Sequence, residues 1–203
     1  MSIVSIPEKT SSITQYAWTS KPAASAVSGS IVKVTNVGTN GSYWVSNGSR
    51  WVPLNGSVIV SQSGTNVNLT GTTSETAMAT VTIPGGLIGT NGVLEILPTF
   101  NHPSSANNKI WRVRLGGIGG TAFYGSTFTT TRSAMPMMAI MSSSTSAQKG
   151  ASSSTVAGLG TNSSGITTAT VDTTVDFTIV ITGQLASSGE TMSLKGFSIV
   201  YRE

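Results

Sequence analysis

The chain has 203 residues, of which 11 are Lys or Arg, 7 are Asp or Glu and one is His, for a net charge of +4. Only 9% of residues are charged, against about 25% in an ordinary soluble domain. There is no cysteine, which excludes disulfides, thiolate metal sites and thiol catalysis.

Polarity is carried instead by hydroxyls: serine and threonine number roughly 30 each, beside 23 glycines. That bias runs against helical bundles and typical enzymes. No run approaches the roughly 20 apolar residues of a spanning helix, so no membrane insertion is expected. The opening MSIVSIPEKT lacks the basic and apolar regions of a secretion signal, so synthesis in a cytoplasm is expected. The basic residues are scattered from Lys9 to Arg202 with no run of three. Phosphate affinity needs clustered cations, and no nucleic-acid partner is expected.

In chain order, the first segment is built around three Asn-Gly pairs, Asn40-Gly41, Asn47-Gly48 and Asn55-Gly56, which separate the runs YWV, RWVPL and SVIV. Asn-Gly is the pair favoured in type I′ hairpin turns, so residues 1–62 read as a small β-meander module. It carries few apolar side chains and is expected to pack on the rest of the chain or on a partner. Its aromatics, Tyr43, Trp44 and Trp51, are expected mainly as core, with stacking on sugar rings as the competing role. Residues 63–75 are nearly devoid of apolar side chains and read as a linker.

Residues 76–203 read as an antiparallel β-sandwich of jelly-roll type. In AMATVTI, Ala77, Ala79, Val81 and Ile83 share one parity. In the next clear strand, Trp111, Val113 and Leu115 alternate with Arg112 and Arg114. The segment MPMMAIM places Met135, Met137, Met138 and Met141 on a strand expected in the core or at a subunit contact. Residues 142–165 are low in complexity and read as a long surface loop. The longest alternation runs over 171–182, with Val171, Thr173, Val175, Phe177, Ile179 and Ile181 on one side. Near the end, Met192 and Leu194 have one parity and Phe197, Ile199 and Tyr201 the other. A β-bulge at Gly196 accounts for the flip. The fold class is therefore all-β.

Catalytic constellations do not assemble from the sequence. His102 has no neighbouring acid, and a triad would have to borrow Asp172 or Asp176 across the fold. Those two, on one strand face, would lie about 13 Å apart, too far for paired-carboxylate sugar hydrolysis. Glu75, Glu95 and Glu190 are isolated in sequence. Gly117, Gly119 and Ala122 match a dinucleotide fingerprint formally, but AFYGSTFTTT follows where a helix is required, so a hairpin connection is expected. No catalytic, cofactor or metal residue is assigned, and no ligand-binding residue is identifiable at this level.

The segments ETAMATVTIPGGLIGTNGVLEILPTF, KIWRVRLGG and TVDTTVDFTIVITGQLASSGETMSLKGFSIVYRE resemble the C-terminal β-sandwich of tailed-bacteriophage virion appendages, the tail fibres, tailspikes and receptor-binding proteins. The resemblance rests on Thr82, Ile83, Pro84, Asn91, Gly92, Gln184, Leu185 and Ala186. GTNGSYWVSNGSRWVPLNGSVIVSQSG resembles a small module of such proteins. The long β-helix and acidic cleft of tailspikes are missing. The resemblance implies a non-enzymatic virion subunit, a homotrimer, contacting other virion proteins and a bacterial surface glycan, with residues 1–62 anchoring it. The alternative is a capsid decoration or head-fibre protein that stabilises the particle.

Overall fold

A computed structural model describes residues 13–38, 40–151 and 165–203. Among them there is no α-helix, only two short 3₁₀ turns, Trp18–Ser20 and Ala24–Ala26. The chain is all-β, as its composition and alternation predict.

The module forms a four-stranded sheet in the order β1 (Gln15–Tyr16), β2 (Ile31–Val34), β3 (Ser42–Ser46), β4 (Trp51–Pro53). The first pair is parallel and the others antiparallel. The Asn-Gly turns are not of type I′, because that type needs a positive φ at both central residues. Among the described residues only one non-glycine, Asn91, has a positive φ. At Asn47 the side chain caps the loop instead: its Oδ1 accepts from the backbone N–H groups of Ser49 at 3.0 Å and Arg50 at 2.9 Å. Asn side chains offer the backbone this local partner, which sequence pairing alone does not distinguish from the hairpin turn.

The remaining strands make two facing sheets. One has the order β10 (Thr121–Phe128), β9 (Lys109–Leu115), β15 (Phe177–Leu185), β7 (Thr76–Ile83). The larger runs β14 (Ile166–Ala169), β13 (Ala147–Ala151), β12 (Met138–Ser144), β8 (Val93–Asn101), β16 (Met192–Arg202), β5 (Ser57–Ser63). Two short strands join it, β6 (Val67–Leu69) on β16 and β11 (Ser133–Ala134) on β8. The ladder from β8 to β12 and β11 is interrupted between Ile96 and Phe100. Pro98 sits at that interruption, where a missing N–H does no harm. Phe100 of β8 stacks on Trp111 of β9 at 3.9 Å between ring centroids, joining the two layers.

Several sequence expectations are corrected. Residues 63–75, expected as a linker, contain β6, and the module's last strand β5 belongs to the large sheet. Of residues 142–165, expected as a surface loop, 142–151 are in or between paired strands; residues 152–164 lie outside the described set. The β7 face is inverted at its start: Met78 is buried and Ala77 exposed, because Met78 is the extra residue of a bulge between the pairs Ala79–Ile181 and Ala77–Thr182. Residues 171–176 are not strand. The Gln148 side chain pairs with both backbone groups of Val171 at 2.9 Å, and the fully buried Thr173 donates to the Thr145 carbonyl at 3.0 Å. Of the four clustered methionines only Met138 enters the core, while Met135 and Met141 are exposed.

The C-terminal bulge is found where the parity flips. Leu194 opposes Phe100 and Gly196 opposes Thr99, leaving Lys195 unpaired. Met192, Leu194, Ile199 and Tyr201 thereby all face inward. Tyr201 stacks with Trp44 at 6.2 Å, and Trp44 meets Trp18 edge-on at 4.7 Å. Trp18 Nε1 donates to the Gly85 carbonyl at 2.9 Å, and Arg50 pairs with Glu203. Module and sandwich share one core through these contacts. A Cβ on Gly196 would lie 2.7 Å from the Ser63 carbonyl oxygen. Gly196→Ala is therefore expected to cost about 1–3 kcal/mol. Gly64→Ala, where a Cβ meets nothing within 4 Å, should change stability by less than about 0.5 kcal/mol. Denaturant titration of both variants checks this, and equal losses would contradict it.

Candidate functional site

The ionisable groups are placed by strand register. Arg112 and Thr182 are direct partners on β9 and β15, and alternation puts Arg114 on the same outward face. Glu75, immediately before β7, meets all three. Its Oε1 accepts from Arg114 Nε at 2.7 Å and from the Thr182 hydroxyl at 2.6 Å; its Oε2 accepts from Arg114 Nη2 at 2.9 Å and lies 3.0 Å from Arg112 Nη1. Arg112 also donates to Gln184 Oε1 at 3.1 Å, and Arg114 to the Gly120 carbonyl at 2.8 Å. The Arg114 guanidinium holds the Glu75 carboxyl below the usual carboxylate range, and Glu75 in turn raises Arg114. A carboxylate so completely bonded is a poor base. Glu75, isolated in sequence, is the hub of a network in the fold, as long-range register alone could decide.

The other acids among the described residues are also engaged. Glu95 pairs with Arg202 at 2.7 Å, and Glu190 Oε1 accepts from Asn107 Nδ2 at 3.1 Å. Asp172 Oδ1 accepts from the Thr174 backbone N–H at 2.9 Å and hydroxyl at 2.6 Å. Asp176 Oδ1 accepts from the Gly85 N–H at 2.8 Å. The two aspartates thus hold turns and do not share a strand face.

His102 follows β8 in a loop but is buried, stacked 5.1 Å from Phe128. Neither ring nitrogen makes a hydrogen bond of good geometry. Burial lowers its pKa, opposed by the Pro103 carbonyl and reinforced by the charge of Lys109. No group of three metal-ligating side chains occurs among the described residues. Gly116 and Gly117 take positive φ in the β9–β10 hairpin, and β10 follows them as the sequence predicts.

Open hollows among the described residues of the module include three. One, of about 290 Å³, sits at the seam with the sandwich and is bordered by Lys21, Arg50, Trp51 and Glu203. Its cations are committed: Arg50 to Glu203 and the Thr90 carbonyl, Lys21 to the Trp18 carbonyl at 2.9 Å and ring at 3.5 Å. Burial pushes the Lys21 amine down to about 8. A second, of about 520 Å³, is lined by Ile13, Tyr16 and Ile31. The third, of about 330 Å³, lies between the turns at 38–41 and 53–56 and strand β5, with Tyr43, Leu54, Asn55, Ile59 and Gln62 on its walls. Of the three module aromatics singled out in sequence, Trp44 and Trp51 are buried as core, as is Trp18, while Tyr43 is exposed at this groove. Leu54, Ile59 and Gln62 carried no signal in sequence, because their convergence depends on β5 crossing from the module into the large sheet.

No protein-family model matches the sequence, and no curated protein does. Among solved structures, a chain of "Structure of infectious bursal disease virus Gx strain" overlaps 69% of this chain at 11% identity and a TM-score of 0.28, a likeness too slight to bear on function. The chain spans 29% of the length of that one.

Two acid-sensitive windows follow. Unfolded His102 takes its proton near the ordinary 6.5 while the folded form resists it, so stability falls as pH drops below that value. Glu75 contributes stability that is complete above its ordinary 4.5 and is lost as pH falls through its depressed folded value. His102→Phe should flatten the first window. Glu75→Gln should flatten the second and cost about 1–3 kcal/mol at neutral pH. Denaturation at a series of pH values tests both; a variant keeping the wild-type slope in its window would refute that assignment.

Proposed function

We propose that the chain is a structural subunit of a virion appendage, of tail-fibre or spike type, that serves host-surface attachment and catalyses no reaction. The observation that carries this reading is the disposition of ionisable groups. Each acid among the described residues is bonded to an arginine, an amide or a turn, and none opposes a second acid or the lone imidazole across a cleft. Hydrolysis of a surface polymer by acid and base would require such a pair. The resemblance of the strand and turn segments to phage appendage proteins supplies the virion setting.

Self-association has support in the outer face of the large sheet. Register places Val93 beside Met141, with Glu95 and then Leu97 following on the same face of β8. Met141 and Leu97 are exposed on a face that also carries the Glu95–Arg202 ion pair, and such a mixed apolar and charged face suits contact with further copies of the chain. The native mass of the purified protein is expected at three times the 20.8 kDa of one chain. Paired Leu97→Asp and Met141→Asp substitutions should reduce it to one. A wild-type mass of a single chain would reject the trimer. Labelled protein should decorate susceptible bacterial cells; release of reducing sugar from host polysaccharide would reject the non-enzymatic reading. Labelling confined to the particle shell would instead favour capsid decoration.

A further inference from the structure

We propose that the groove between strand β5 and the turns at 38–41 and 53–56 binds an uncharged sugar residue, with Tyr43 as its stacking platform. This deepens the attachment reading and rests on it for its biological use, though it places the contact on the module that the resemblance casts as an anchor.

The module's strand β3 alternates Ser42, Tyr43, Trp44 with Trp44 wholly buried, its Nε1 donating to Ser42 Oγ at 2.7 Å. Alternation then forces Tyr43 outward. Leu54 is held beside it, its N–H donating to the Tyr43 carbonyl at 2.9 Å. Ile59 enters from β5 on the other side. These three side chains are 46%, 45% and 44% exposed, so the module's exposed aromatic and two aliphatics converge on one hollow. The turn at Gly38 rests directly on β5: a Cβ there would lie 2.7 Å from the Ile59 carbonyl oxygen. The groove is thus a seam between two packed elements.

The rest of its lining selects the ligand class. Its walls are formed by uncharged residues; a cation, Lys33, stands at the rim, opposite Tyr43 in register and close to Gly41. Three primary amides line it, those of Asn40, Asn55 and Gln62. Each offers two donors and an acceptor, and all three residues are exposed. Adjacent sugar hydroxyls, each both donor and acceptor, match such groups. The positively polarised C–H face of a pyranose ring matches the negative face of the phenol ring. The volume of about 330 Å³ falls at the lower end of the about 300–1,000 Å³ of small-ligand clefts, which suits one residue of a chain that continues into solvent.

Saturation-transfer NMR on the full chain, with glucose, galactose, mannose, rhamnose and N-acetylglucosamine as probes and glucuronic acid as the charged control, tests this. At least one uncharged sugar should receive saturation, and glucuronic acid should receive less. Tyr43→Ala should weaken that binding at least tenfold, about 1.4 kcal/mol, while Tyr43→Phe retains it and both keep the wild-type melting temperature and native mass. The proposal is overturned if no uncharged sugar binds, if glucuronic acid binds better, or if Tyr43→Ala binds as wild type. A fall in native mass of Tyr43→Ala would also overturn it, by making the groove a contact between copies. Cell decoration separates the two claims: Tyr43→Ala that still coats cells leaves attachment standing without this groove. Sugar binding through Tyr43 by a protein that coats no cell leaves the groove standing without attachment.

Discussion

One unpaired residue, Lys195, sets the geometry on which the two parts of the chain meet. The bulge it creates in β16 turns Ile199 and Tyr201 to the same side as Met192 and Leu194. Without it, the last third of the strand would present Ser198, Val200 and Arg202 to the core. With it, Tyr201 reaches Trp44 of the module, and Glu203 reaches Arg50. The same strand carries β8 along one edge and β6 and β5 along the other. The module is therefore held by a backbone ladder as well as by an aromatic cluster, and its groove sits where that ladder leaves the module.

A chain with so few charges must place each of them. Glu75 is shared by two arginines and a threonine; Glu95, Asp172, Asp176 and Glu203 each fasten a strand end or a turn. Hydroxyls and amides do the remaining polar work, as Gln148 does for Val171 and Thr173 for Thr145. Surfaces built this way depend little on ionic screening. They also line the module groove with amides and hydroxyls, which directs its chemistry toward hydroxyl-bearing ligands.

Much of this architecture is legible without coordinates where alternation is unambiguous. The β9 strand reads correctly because large apolar residues alternate with arginines, and the β16 bulge reads correctly because the apolar parity visibly flips at Gly196. The start of β7 misleads because alanine and threonine fit either face, so the bulge at Met78 leaves no mark. Residues 171–176 mislead because their alternation continues past the point where Gln148 and Thr145 take over the hydrogen bonds. Of the groove, only Tyr43 and the Asn-Gly turns are visible beforehand; Leu54, Ile59 and Gln62 join them through the path of β5.

Composition and local period alone thus determined that this chain is all-β, poor in charge and without cysteine chemistry, because side-chain alternation and turn residues act over a few positions. Which acids meet which arginines, which aromatics are buried, and where a groove opens were decided only by tertiary pairing. Glu75 lies 39 residues from Arg114 and 107 from Thr182, and contacts across such separations are set by sheet register, which no local pattern encodes.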